Sequence, residues 1–293
     1  MQMPTAYEIV TESIIKQLES GVAPWRKPWR TEPPANLVSK KEYRGINIFL
    51  LASLGYGSPY WVTYRQAQTL GGSVKKGQHG SKVVFWKIDE YRKENKETGE
   101  TENRKSILLR YYTVFNLEQC YGIESPEPSR VIHPIEECEH IVNSMPNRPG
   151  FEQDSRAFYR PSTDTVGMPS RSAFESAEKY YSTLFHELTH STGHPSRVGR
   201  EGIMEHNPFG SEDYSKEELV AEMGAAMLCG VAGIESQTLD NSAAYLQSWI
   251  SRLRSDSRLI VSAASQAQKA ADYILARNAA ETESDTKGEN ETL

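Results

Sequence analysis

Residues 182–194 read STLFHELTHSTGH and place His186, Glu187 and His190 in the order HExxH. On a helix, two imidazoles one turn apart lie on one face and can reach a single cation. A helix predicted over about 172–191 gathers Phe174, Ala177, Tyr181, Leu184 and Leu188 on one side and both histidines on the other. Glu187 lies between the histidines in sequence, beside the ion without ligating it, which is the position of a general base. The chemistry this pattern allows is hydrolysis: the ion lowers the pKa of a coordinated water to about 7, and Glu187 takes the proton as that water attacks a polarised carbonyl.

A catalytic zinc usually takes three protein ligands and leaves a place for water. The third is sought in KEELVAEMGAAML, where Glu218 and Glu222 stand i, i+4 on a second predicted helix. Glu218 is the expected ligand, with Glu222 one turn on holding an imidazole N–H. The reverse assignment stays open, because Glu222 lies closer to the apolar stripe and is the costlier carboxylate to bury unpaired. Glu217 is weaker, since acidic residues near a helix start are favoured by the helix dipole alone. The longer HExxHxxGxxH pattern is excluded by Ser196, and Pro195 ends the helix just beyond His194. Tyr214, ahead of the glutamates, is the candidate donor to a tetrahedral oxyanion. The strand TDTVGMP, residues 163–169, is a candidate edge for an extended peptide.

These side chains need a frame. A first helix is predicted from Ile9, Ile14, Ile15 and Leu18, stopped by Gly21. APWRKPWR cannot be helix interior, because Pro24 and Pro28 lack donors. Residues 46–54 read as a buried helix or strand, and WVTYRQAQTLGGSVKKG as a short amphipathic helix ended by Gly71-Gly72. SKVVFWKI and ILLRYYTVFNL read as paired strands, with residues 89–105, all charge and turn formers, as a long hairpin loop between them. After turn formers at 121–130 come a helix around PIEECEHIVNSM, an edge strand in AFYRPSTDTVGMP, the two metal helices and two further helices from Asn241 to Arg277.

Composition bounds the class. With 293 residues and 38% hydrophobic content, the chain can fill one large domain or two ordinary ones. The net charge of -6 is unevenly spread. Residues 1–87 hold 12 Lys+Arg against 5 Asp+Glu, and residues 131–293 hold 14 against 25. The basic half suits a polyanion. Three cysteines without a CxxC pair argue against a disulfide framework and a cysteine-rich zinc site. No apolar run approaches the roughly 18 residues that span a bilayer, and acidic residues stand where a signal peptide would be basic. The expectation is a soluble cytoplasmic protein with no membrane partner.

Binding single-stranded nucleic acid takes cations for phosphates and exposed rings for bases. The candidates are Trp25, Arg26, Lys27, Trp29, Arg30, Arg44, Trp61, Lys75, Lys76, Lys82 and Trp86. The segments YEIVTESIIKQLESGVAPWRKPW, YRGINIFLL, WVTYRQAQTLGGSVKKGQHG and YYTVFNLEQC closely resemble the N-terminal domain of ArdC-type antirestriction proteins, which also occurs in some plasmid primases. FHELTHSTGH with KEELVAEMGAA resembles their zincin-like metallopeptidase domain. The resemblance runs from about residue 5 to 278, and one local departure is Gln78, where relatives usually carry an acidic residue.

The resemblance implies an α+β protein: a small α+β single-stranded-DNA-binding domain, residues 1–125, then a mostly helical zincin-like domain with a short β-sheet, residues 131–278. Residues 279–293 read as a disordered tail. It further implies protection of incoming plasmid DNA during conjugation, with His186, His190 and Glu218 as ligands of one Zn2+ and Glu187 as base. A protein of the host restriction system is then a candidate substrate. Two rival readings remain: a general zinc metalloprotease recruited by a basic domain, and a non-catalytic DNA-coating module with a structural metal.

Overall fold

Thr5 opens the first helix: its hydroxyl accepts from Glu8 N, and the Glu8 carboxylate accepts from Thr5 N in return. In the computed structural model, residues 4–26, 32–94, 101–126, 133–200, 212–234 and 242–277 are described, with backbone alone for 88–94, 101–107 and 212–214. The expected tail at 279–293 and the candidates Lys27, Trp29 and Arg30 lie outside them. Helix α1 (Ala6–Glu19) buries Val10, Ile14, Ile15 and Leu18, and Gly21 at φ 87° ends it as predicted. A single 3-10 turn, Pro24–Arg26, follows. Next come β1 (Ala35–Asn36), α2 (Ile46–Ala52), β2 (Tyr60–Thr63), α3 (Tyr64–Thr69) and β3 (Ser73–Val74). The helix expected from Trp61 onward is thus a strand up to Thr63. There the Thr63 and Gln66 side chains cap each other's backbone N–H and start α3.

Strands β4 (Ser81–Glu94) and β5 (Thr101–Asn116) pair antiparallel from Ser81↔Val114 to Glu94↔Thr101. Most of the stretch expected to loop, residues 89–105, therefore continues the ladder; cross-strand pairing overrides its charged composition. The sheet order is β1-β2-β5-β4, which leaves β4 on the outside. Asn47 of α2 satisfies that outer side at Val84, donating to Val84 O and accepting from Val84 N, both at 2.8 Å. The short β6 (Cys120–Tyr121) pairs with β3.

The second half starts with α4 (Pro134–Ser144) and a sheet of β7 (Gly150–Gln153), β8 (Phe158–Arg160) and β9 (Thr165–Met168) in the order β7-β9-β8. The expected edge strand at 163–169 is therefore central, with both sides of β9 taken. Helices α5 (Ala177–Ser191), α6 (Glu212–Ala232), α7 (Ala243–Ser255) and α8 (Leu259–Ile274) complete the chain. Helix α5 starts later than predicted, because Ser176 caps it by accepting from Lys179 N and residues 171–173 form a separate turn. No helix among the described residues is long and apolar enough to cross a membrane.

One large core joins the two halves. It combines Val10, Ile14 and Leu18 of α1, Trp25, and Phe49 of α2 with Leu188, Met223, Trp249, Ile260 and Ala267 from the C-terminal helices. The division expected between residues 1–125 and 131–278 thus separates two stretches of sequence that share this core. Polar contacts bind the same seam. Glu222 of α6 accepts from Trp25 Nε1 (2.8 Å), Arg26 Nη2 (2.6 Å) and Tyr245 Oη (2.5 Å), and the Arg26 guanidinium lies 3.6 Å over the Tyr245 ring. Arg44 pairs with Asp272 of α8, and Gly45 N donates to Gln268 at 2.8 Å.

Removing one partner of a buried ion pair leaves the other charge desolvated, at a cost of about 3–5 kcal/mol. Glu222→Ala is therefore expected to lower the unfolding free energy by about that much in urea titrations. A change below about 1 kcal/mol would mean that Arg26 finds another acceptor.

Candidate metal centre

The metal motif sits where α5 crosses α6. Tyr181, Leu184, Phe185 and Leu188 of α5 are buried against α4, α6 and the sheet side, which leaves His186 and His190 at the crossing. Their Nε2 atoms stand 3.1 Å apart. Glu218 of α6 faces both, with Oε2 3.5 Å from His186 Nε2 and Oε1 3.5 Å from His190 Nε2. Among the described residues these three side chains are the group whose ligand atoms converge within 4.8 Å. Two imidazole nitrogens and one carboxylate form a donor set suited to a borderline-soft divalent cation. The close approach of the helices rests on Gly224: a Cβ there would meet Thr189 Cγ2 at 2.5 Å and Oγ1 at 2.8 Å.

The carboxylate holding an imidazole N–H is Glu217, not Glu222. Glu217 Oε1 lies 3.1 Å from His190 Nδ1, and because a carboxylate only accepts, Nδ1 carries the proton and Nε2 faces Glu218. Glu222 is committed to Trp25, Arg26 and Tyr245, one helical turn further on, and does not reach the histidines. Arg200 fixes Glu217 from the other side, through Nε to Oε2 at 2.9 Å and Nη2 to Oε1 at 2.5 Å. The same guanidinium donates to Thr192 Oγ1, Thr189 O and His190 O, tying the C-terminal end of α5 to α6. The sequence ranks Glu217 below Glu218 and Glu222 because the helix dipole alone favours an acidic residue there, and nothing in the spacing marks Arg200.

The electrostatics suit a cation. Burial alone would lower the His190 pKa, but the Glu217 hydrogen bond and the charges of Glu217, Glu218 and Glu187 outweigh it and lift the value to about 9. Burial pushes Glu217 the other way, yet its bonds from His190 and Arg200 hold its carboxyl below the usual range. Glu187 is buried on α5 beside this cluster. His194 turns instead to Ser196, its Nδ1 2.8 Å from the hydroxyl oxygen, and stays out of the convergent group. The backbone of Tyr214 belongs to α6, but its side chain lies outside the described residues.

The expected nucleic-acid residues divide sharply. Trp25 and Trp61 are 1% and 2% exposed and Arg26 is 7% exposed, so none of the three can meet a base or phosphate. They are core, and Arg26 is the partner of Glu222. Arg44 is paired with Asp272 at the seam between the halves. Lys75 donates to Glu118 O at 2.7 Å beside Tyr121, while Lys76 and Lys82 are exposed. Trp86 reaches the surface on β4, and Tyr111, which the candidate set lacked, is 46% exposed on β5 under Lys82 Nζ.

Two family models match the chain: the N-terminal domain of anti-restriction factor ArdC over residues 4–115, and a zincin-like metallopeptidase over residues 136–266. The crystal structure of the antirestriction protein ArdC from plasmid R388, metal-free, is 39% identical and superposes with a TM-score of 0.73, covering 93% of this chain and 97% of that one. This chain belongs to the ArdC-type antirestriction family. The Mn(II)-bound structure of the same ArdC protein is 38% identical with a TM-score of 0.72, covering 94% and 99%. Among curated relatives, the DNA primase TraC of Escherichia coli is 37% identical over 289 residues, 92% of this chain. The chain spans only 27% and 20% of the two TraC sequences it matches. An uncharacterized protein, y4eC, of Sinorhizobium fredii (strain NBRC 101917 / NGR234) is 36% identical and matched over 97% of its length.

In this ArdC-family chain, two substitutions probe the support of the centre. Partners that orient a metal-binding imidazole typically contribute 10- to 100-fold in metal affinity, so Glu217→Ala should weaken Zn2+ or Mn2+ binding by roughly that factor in competition titrations. Unchanged affinity would deny Glu217 this role. Gly224→Ala should force α5 and α6 apart, lowering stability by about 1–3 kcal/mol along with metal affinity; a variant as stable as the parent would show that Thr189 can yield.

Proposed function

We propose that this chain binds single-stranded DNA in the cytoplasm and protects incoming plasmid DNA from restriction during conjugation, and that its second half holds one Zn2+ in a hydrolase site of metallopeptidase type. Family membership supports the antirestriction role. The observation that carries the metal site is the convergence of His186, His190 and Glu218 from two helices, alongside the Mn(II)-bound form of a 38% identical relative.

In this reading His186 and His190 bind through Nε2 and Glu218 through its carboxylate. When bound, the cation supplies Lewis acidity: a more acidic coordinated water and a polarised carbonyl. The residues of the chain do the rest. Glu187, buried next to the ligands, takes a proton from the attacking water and returns it to the leaving nitrogen of a peptide bond. Glu217 and Arg200 keep the His190 ring turned so that Nε2 faces the ligand position. Tyr214 remains the proposed donor to the oxyanion, and the substrate is a protein of the host restriction system.

His186→Ala should reduce bound zinc from about one per chain to near none. Glu187→Ala, assayed in parallel for DNA binding, zinc content and survival of incoming DNA in a restricting host, is expected to keep the first two and lose protection. Full protection by that variant would assign the ion a structural role and remove hydrolysis from the mechanism.

A further inference from the structure

A cleft of about 270 Å³ opens between the outer strand β4 and helix α8. Its floor is apolar, formed by Val84, Leu109 and Val261, and Trp86 stands at its rim with 36% of its surface exposed. The opposite end is polar, where Arg44 meets Asp272. Among the described residues the Arg44 guanidinium bonds only Asp272, so most of its five N–H groups remain to donate, and each Asp272 oxygen keeps a lone pair. The cleft thus offers an apolar face and an aromatic wall closed by a donor–acceptor edge.

That combination matches a nucleobase, which has an apolar face for stacking and a polar rim for hydrogen bonds, better than an aliphatic side chain, which would leave the spare donors and acceptors of the Arg44–Asp272 pair without partners. The surroundings match the rest of a nucleotide chain. Lys269 lines the cleft from α8. On the same face of the β4/β5 ladder as Trp86, the exposed Tyr111 lies diagonally across the strands, with Lys82 Nζ 4.9 Å from its ring centre. Rings therefore alternate with cations along one track, within a half that carries 12 Lys+Arg against 5 Asp+Glu up to residue 87.

We propose that this β4/α8 cleft is a base-binding site for single-stranded nucleic acid, with Trp86 as stacking wall and Arg44 and Asp272 reading the base edge. The inference rests on the DNA-binding part of the proposed function and adds a place to it. It also makes the interface a joint product of both halves, because α8 supplies one wall.

The test uses the full chain and fluorescence anisotropy with a labelled single-stranded oligonucleotide, each variant first matched to the parent in thermal unfolding. Trp86→Ala removes the wall, and Ser265→Trp fills the cleft from the exposed side of α8. Both should weaken binding roughly 10-fold, while Trp86→Phe, which keeps a stacking ring, stays near the parent. With an abasic strand of equal length, parent and Trp86→Ala should bind alike, because no base is left to stack. Parent-like affinity in both Trp86→Ala and Ser265→Trp overturns the cleft assignment alone. Failure of the parent itself to bind any oligonucleotide overturns the DNA reading and this inference together. Should Trp86→Ala not fold, Ser265→Trp decides the matter, since Ser265 is exposed and outside the core.

Discussion

The close crossing of α5 and α6 is the constraint on which the site depends. Among the described residues neither helix holds a three-donor group alone: α5 brings two imidazoles, α6 brings Glu218, and their ligand atoms converge only because the helices touch. Gly224 against Thr189 sets that distance. Arg200 then closes the end of the crossing, with one guanidinium bonded to three groups near the α5 C-terminus and to both oxygens of Glu217. Carboxylates gathered around His190 make the gap favourable to positive charge, as the raised pKa of that ring reflects.

The same α6 also faces the other way. One turn past Glu218, Glu222 receives Trp25, Arg26 and Tyr245, so the helix that carries Glu218 also holds the N-terminal segment in place. Burying two charges there costs solvation; the indole N–H, the Tyr245 hydroxyl and the Arg26 guanidinium offset it by satisfying nearly every lone pair of the carboxylate, and the Tyr245 ring covers the guanidinium. The two family modules are therefore mechanically joined, with apolar α1 and α2 residues seated in the helical core of the second.

Residue types alone misplace several of these roles. Tryptophan beside arginine in PWR looks like a base-stacking platform, yet burial makes Trp25 a core residue and Arg26 a counter-ion; the two uses draw on the same chemistry and differ only in solvent access. Glu217 and Glu222 exchanged parts for a related reason. Both lie within a turn of Glu218, and the helix rotation that aims one carboxylate at His190 and the other at Tyr245 is fixed by packing on α5 and α8, not by spacing. Within the charged stretch, residues 89–94 and 101–105 continue the strands because ladder partners across β4 and β5 outweigh local composition.

What the sequence by itself determined is the local periodic content: the HExxH face, the α1 stripe, the strand segments and the helix pair after Asn241; the family came from resemblance of motifs. The periodic elements follow from nearest-neighbour geometry along the chain, where a turn of helix or a strand alternation ties side chains within four residues. Tertiary structure alone decided which carboxylate meets which imidazole, which aromatics are buried, that β9 is central, and that α8 walls a cleft on β4. Those depend on contacts beyond the reach of a single turn or strand alternation, from 15 positions apart for Gly150 with Thr165 to 228 for Arg44 with Asp272, and no spacing rule along the chain encodes them.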